Sequence, residues 1–224
     1  MSTLLLRFAG PMQAWGTGTR FDVCRTNREP TKSGVVGLLA AALGLRRDAP
    51  LDLRRDAPLD ALASLRFGVR VDREGVVLQD YHMVRGEKSA YVTRRYYLCD
   101  AVFLVGVSGE DEALMQRLDE AVRRPAFPLF LGRRSCPPEG RVSLGLRAEP
   151  LEDALTREPC LLPQNAGKRS EKVRMVLEDP DGPAKLADLP LSFSPFRREY
   201  GYRAARECWR DAPAAEHDPM RELR

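Results

Sequence analysis

A chain of 224 residues, 43% hydrophobic and 30% charged, is long enough to bury a core in one or two domains, and its composition excludes a disordered tail or a collagen-like repeat. The formal net charge is only +4, but 31 of the 36 basic residues are Arg and 5 are Lys, a skew that suits phosphate and base recognition as readily as it reflects a GC-rich genome. Cys24, Cys99, Cys136, Cys160 and Cys208 form no C-x-x-C pair and lie away from both histidines, so no metal or other cofactor is implied, and an odd thiol count without a signal peptide points to the cytoplasm.

Residues 2–8 read as a short apolar strand, followed by Gly10-Pro11 and a turn-rich connection through Gly16 and Gly18. Thr31 or Ser33 caps a helix in which Val35, Leu38, Leu39, Ala42 and Leu43 recur at helical spacing up to Gly44. The apolar run 35–45 is well short of the ~20 residues of a bilayer span, so no membrane is expected as a partner. The octapeptide LRRDAPLD at 45–52 is repeated identically at 53–60, read as a duplication in a surface connection, with Pro58 starting a short helix through Leu65. Residues 66–72 alternate as a strand and 102–107 form a continuous apolar strand, with an insertion between them. Residues 110–124 space Leu114, Leu118 and Val122 four apart in an amphipathic helix ended by Pro125, and 127–131 and 142–146 are further strand candidates. This order predicts an α+β, ferredoxin-like (RRM-type) βαββαβ domain over 1–147 with an insertion at about 74–98. Residues 148–224, with one strand at 173–177, read as a smaller C-terminal β-rich unit.

All six tyrosines fall in two stretches: Tyr81, Tyr91, Tyr96 and Tyr97 in the insertion, and Tyr200 and Tyr202 near the end. Arg85, Lys88, Arg94 and Arg95 make 78–98 net basic by +2, and five arginines make 196–210 net basic by +3. Rings interleaved with guanidinium groups suit a single-stranded nucleic acid, whose bases stack on rings while cations track its phosphates. For one tyrosine a sheet-facing position is the default; the clustering of six favours nucleic acid. Arg133, Arg134 and Ser135 in the loop LGRRSCP form a phosphate-wrapping candidate, and Lys32 stands at a helix N-terminus, where orphan amides accept an anion. The basic run 164–174 reads first as a solvated loop, and His217 as a surface residue in a charged tail. His82, beside Tyr81 and near Lys88, offers chemistry for metal-free RNA cleavage through 2′-OH attack, although a lone strand histidine more often stacks or hydrogen-bonds.

AGPMQAWG at 9–16, PTKSGVVGLL at 30–39, DYHMV at 80–84, YLCDA at 97–101 and LGRRSCP at 131–137 together resemble, in order and spacing, the CasD family of CRISPR-associated proteins. The resemblance implies a RAMP-type subunit of a type I-E Cascade surveillance complex, a ferredoxin-like domain bearing an inserted thumb-like hairpin. Its partners would be the 5′ handle of the CRISPR RNA, the adjacent backbone subunit whose filament it caps, and the large subunit that reads the PAM, with target DNA met only through the complex. By motif, Gln13, Trp15, Lys32, Ser33, Tyr81, His82, Arg95, Tyr97, Arg133, Arg134 and Ser135 face the handle or support its loops; Arg94, where the family leads one to expect an aromatic, joins them from the Tyr-rich stretch. The role implied is binding without catalysis. The alternative is a metal-independent endoribonuclease that processes repeat RNA through Tyr81, His82 and Lys88, as the counterpart in a related subtype does.

Overall fold

The first strand, β1 (Ser2–Ala9), has an antiparallel neighbour on each edge and is buried almost throughout, as its unbroken apolar run requires. After it come β2 (Met12–Gln13), β3 (Val23–Cys24), α1 (Lys32–Ala42), α2 (Ala57–Ala63), β4 (Arg66–Arg73), β5 (Val76–Arg85), β6 (Ala90–Cys99) and β7 (Val102–Gly109). The chain continues through α3 (Glu112–Arg123), β8 (Ser143–Arg147), α4 (Leu151–Arg157), β9 (Lys172–Glu178), β10 (Ala184–Phe193) and β11 (Arg198–Asp211). This computed structural model describes residues 1–17, 23–45, 57–86, 90–163, 171–193 and 198–213; most of the octapeptide repeat, Lys88, most of the basic run 164–174 and His217 lie outside them. Among the described residues no helix is long and apolar enough to cross a membrane.

The architecture is mixed, with few helices and mostly antiparallel sheets. One seven-stranded sheet runs β10-β11-β9-β4-β7-β1-β8, and a second runs β2-β6-β3 with β5 paired to β6. The β4 to β9 ladder carries strands from beyond residue 148 into the same sheet as β1 and β7. Alternation along β1 sorts the core into two layers: Leu4, Leu6 and Phe8 join α1, α2 and α3 on one face, while Leu5 and Ala9 meet α4 on the other. Gly68 and Gly106 pair directly across β4 and β7 under α4. A Cβ on Gly106 would lie 2.6 Å from Leu151 and one on Gly68 2.9 Å from Leu155, so the bare pair sets how closely α4 approaches.

Thr31, not Ser33, caps α1, accepting a hydrogen bond from the Gly34 amide. The strand expected at 127–131 is a correction: the segment is irregular, because Pro125 and Pro128 remove donors and its end is bonded into the following turn and to Ala14 rather than to a strand, as in Leu131 N–H to Cys136 O and Ala14 N–H to Leu131 O. Beyond residue 150 the sequence signals only β9, whereas the structure adds α4, β10 and the long β11. Strand β11 is clasped to α4 by Glu152, which accepts from Arg206 and from Arg210 at 2.6 Å.

Burial alone would raise the Glu152 carboxyl, but hydrogen bonds from Arg210 and Arg206 outweigh it and hold the group below its ordinary value. A depressed carboxylate contributes stability that is full above the unfolded value of roughly 4.3 and is lost as pH falls through the lower folded value. Thermal unfolding scans from neutral to acid pH are therefore expected to show a smaller acid-side fall in Glu152→Gln than in the parent. Parallel curves would rule this clasp out as a source of acid sensitivity.

Candidate nucleic-acid interface

Gln13 and Trp15 build the floor beneath the loop 131–136. Gln13 is fully buried; its amide donates to Ala101 O at 2.9 Å and to Phe8 O at 3.2 Å, and its oxygen accepts from the Trp15 indole at 3.1 Å. The Trp15 ring stacks on Phe8 with centroids 5.4 Å apart. Between these residues the Ala14 amide donates to Leu131 O, so the loop is tied directly to this floor. Neither side chain reaches the surface.

Lys32 and Ser33 are buried as well, and the anion at the start of α1 is supplied by the chain itself. The Lys32 amide donates to Asp188 Oδ2 at 2.8 Å, and Asp188 is in turn paired with Arg203 at 2.7 Å. The Lys32 ammonium, 3% exposed, meets both oxygens of Glu178 at 2.9 Å. Burial pushes its pKa down against the pull of Glu178. The orphan amide and the cation expected to face an external phosphate therefore hold β10 and β9 against α1.

The remaining candidates lie on the hairpin and the glycine turn. Strands β5 and β6 pair without a register shift from Val76↔Cys99 to Arg85↔Ala90, placing Tyr81 opposite Arg94, His82 opposite Thr93, Asp80 opposite Arg95 and Leu78 opposite Tyr97. Consecutive strand residues project to opposite faces, so Tyr81 and Arg94 share one face while His82, Arg95 and Tyr97 share the other. Tyr81 is 62% exposed and His82 and Arg94 are exposed, Arg95 is half-buried, and Tyr97 is buried. Tyr81 and His82 thus do not converge on one site, and Lys88 lies outside the described residues.

The glycine turn is locked in place. Gly132 has φ +86°, and a Cβ there would fall 1.8 Å from Ala14 O. The turn carries the Arg133 guanidinium to 4.8 Å from the Tyr97 ring centre, where its Nη2 donates to Cys24 O at 2.9 Å and Arg25 O at 3.4 Å. Arg134 and Ser135 project outward, exposed. Cys24 pairs in parallel with Arg95, so turn, β3 and β6 form one unit. Cys136 beneath the turn is a buried thiol whose pKa burial pushes up, unsuited to nucleophilic work.

The second Tyr-rich stretch lies on the other sheet, and its basic character is largely spent internally. Arg203 is buried against Asp188 and over Phe67, and Arg206 and Arg210 share Glu152, leaving Tyr200 and Tyr202 exposed. Arg174, from the basic run, is buried among Glu29, Glu74 and Glu207. Sequence reasoning misses Asp188 and Glu178 as partners of Lys32, since they lie about 150 residues away and no local pattern marks them.

Residues 3–206 match the family model described as CRISPR-associated protein (Cas_Cas5). Over 180 residues, 70% of this chain and 78% of the relative, the sequence is 40% identical to the CRISPR system Cascade subunit CasD of Escherichia coli (strain K12). A solved structure titled "Crystal structure of Cas protein" is 42% identical, with TM-score 0.75 over 96% of this chain and all of the other. One titled "CRISPR RNA-guided surveillance complex" is 33% identical, with TM-score 0.78 over 99% of this chain and 97% of the other.

Proposed function

The chain belongs to the CRISPR-associated Cas5 family, and from that premise we propose that it is a non-catalytic, RNA-binding subunit of a Cascade-type surveillance complex. In this reading it binds the 5′ handle of the CRISPR RNA, caps the backbone filament and helps seat the large PAM-reading subunit. The observation that carries the reading is Arg134 and Ser135, exposed on a rigid glycine turn that is fastened to a basic, tyrosine-bearing hairpin. Arg134, Arg94 and Arg95 position phosphates, Tyr81 and His82 stack on or contact bases, and Ser135 supplies a hydroxyl. Gln13, Trp15, Lys32, Ser33 and Tyr97 support the loops from inside.

The strand order β4-β7-β1-β8, with α1 between β1 and β4 and α3 between β7 and β8, supports a ferredoxin-like unit at 1–147 with the hairpin as its thumb; 148–224 is the smaller β-rich part. Strand β5 leaves Val76, Val77 and Met83 largely exposed, apolar surface suited to the adjacent backbone subunit. Tyr81 and His82 on opposite faces speak against a shared nuclease site.

Labelled handle RNA is expected to bind more tightly than a scrambled control in fluorescence anisotropy. Arg134→Ala should weaken it about tenfold and reduce the slope of log affinity against log salt by about 0.7, the loss of one single-strand phosphate contact. Equal affinity for the scrambled RNA would sink handle recognition.

A further inference from the structure

We infer that Arg133 is a positioning residue that clamps the glycine turn to the base of the hairpin, while its neighbour Arg134 is the phosphate contact. The functional consequence rests on the RNA-binding reading above. A guanidinium that grips phosphate presents two N–H groups along one open edge. Arg133 has already turned inward: Nη2 serves the carbonyls of Cys24 and Arg25, and Nη1 is buried and finds no acceptor among the described residues. Its Cζ lies over the Tyr97 ring, 4.8 Å from the centroid. Its charge is met by a ring face and carbonyl dipoles rather than by an incoming anion.

The clamp is placed where the fold needs one. Strand β3 is two residues long and, among the described residues, pairs with Arg94 and Arg95 of β6 on one side, while the chain just beyond it is tied to Trp15 by Asn27 N–H to Trp15 O at 2.8 Å and Trp15 N–H to Thr26 Oγ1 at 2.9 Å. Arg133 supplies the third side: it descends from a turn fixed by Gly132 and the Ala14 to Leu131 bond, bonds the carbonyl end of β3, and stacks on the β6 residue two beyond Arg95. The rung that carries Arg94 and Arg95 is thereby held at a fixed distance from Arg134. A lysine keeps the charge and can donate to a carbonyl, but it has no planar guanidinium to set over the Tyr97 ring and its compact ammonium is more strongly hydrated.

Hydrogen exchange on the full RNA-free chain tests this directly. In Arg133→Lys the amides of 23–25 and 94–97 should exchange at least about tenfold faster than in the parent, while Arg134→Lys leaves them unchanged. Tyr97→Leu, which keeps apolar bulk but removes the ring face, should reproduce the Arg133→Lys pattern. In anisotropy with handle RNA, Arg133→Lys should lose about tenfold in affinity at unchanged salt slope, whereas Arg134→Ala loses affinity together with about 0.7 of the slope. Parental protection and affinity in Arg133→Lys would mark Arg133 as a point-charge phosphate contact and overturn the inference. If the parent itself does not prefer handle RNA, the RNA reading fails, and the exchange experiment still decides the clamp.

Discussion

Arg70→Met is expected to lower the thermal midpoint by about 6 to 20 °C, from a loss of roughly 3 to 5 kcal/mol. Arg70 sits mid-strand in β4 with no exposed surface, paired through Nε at 2.7 Å and Nη2 at 3.0 Å with Asp72, which is equally buried. Its remaining hydrogens reach the carbonyls of Leu155 at 2.6 Å and Pro159 at 2.9 Å, and also that of Glu158. These are the carbonyls at and just beyond the end of α4, which a short helix leaves without partners. One guanidinium thus closes α4 against the central sheet, and Asp72 extends the bond to the Leu161 amide at 2.7 Å. Methionine fills similar volume, so cavity formation contributes little; the cost comes from a buried carboxylate and three carbonyls left unsatisfied. Replacing Asp72 by Leu in the same chain should recover part of the loss, because a buried ion pair removed whole costs less than one broken. A fall below about 2 °C in circular-dichroism melts of Arg70→Met would contradict this account.

Arg70 also shows where sequence reading stops. Its strand is legible, since Phe67, Val69 and Val71 alternate, and so are β1, β7, α1 and α3, whose apolar patterns extend over whole elements. What an arginine does inside such a strand depends on α4, which has no long periodic signal and arrives 80 residues later. The same limit explains β11: fourteen residues rich in Arg and Tyr read as a basic surface, yet two neighbouring strands and the carboxylates of Asp188 and Glu152 absorb most of that charge. Lys32 was legible as a cation at a helix start, but the identity of its anion was not. In the candidate site the chain motifs point to the turn at 131–136 and the hairpin. Only the geometry separates the arginine that faces inward from the one that faces out.

Gly132→Ala is the substitution expected to damage both the turn and the interface. At φ +86° an alanine costs about 1 to 3 kcal/mol in backbone strain alone. The added methyl would also lie 1.8 Å from Ala14 O and 2.7 Å from Ala14 C, backbone atoms that cannot swing aside as a side chain does. The turn must lift, breaking the Ala14 to Leu131 hydrogen bond and withdrawing Arg133 from Tyr97 and Cys24. A total of roughly 2 to 5 kcal/mol follows, a midpoint lower by about 4 to 20 °C. Handle affinity should fall well beyond the tenfold assigned to Arg134→Ala, because Arg134 and Ser135 move together and the β3 to β6 rung loosens with them. Arg134→Ala separates the two effects: its side chain is exposed, so affinity drops at an unchanged thermal midpoint. Hydrogen exchange in Gly132→Ala should then show lost protection at 23–25 and 94–97, while the β1 to β7 ladder on the far side of Gln13 stays protected. If instead Gly132→Ala binds handle RNA as the parent does, the turn does not hold the contact surface, and the RNA lies along the hairpin alone.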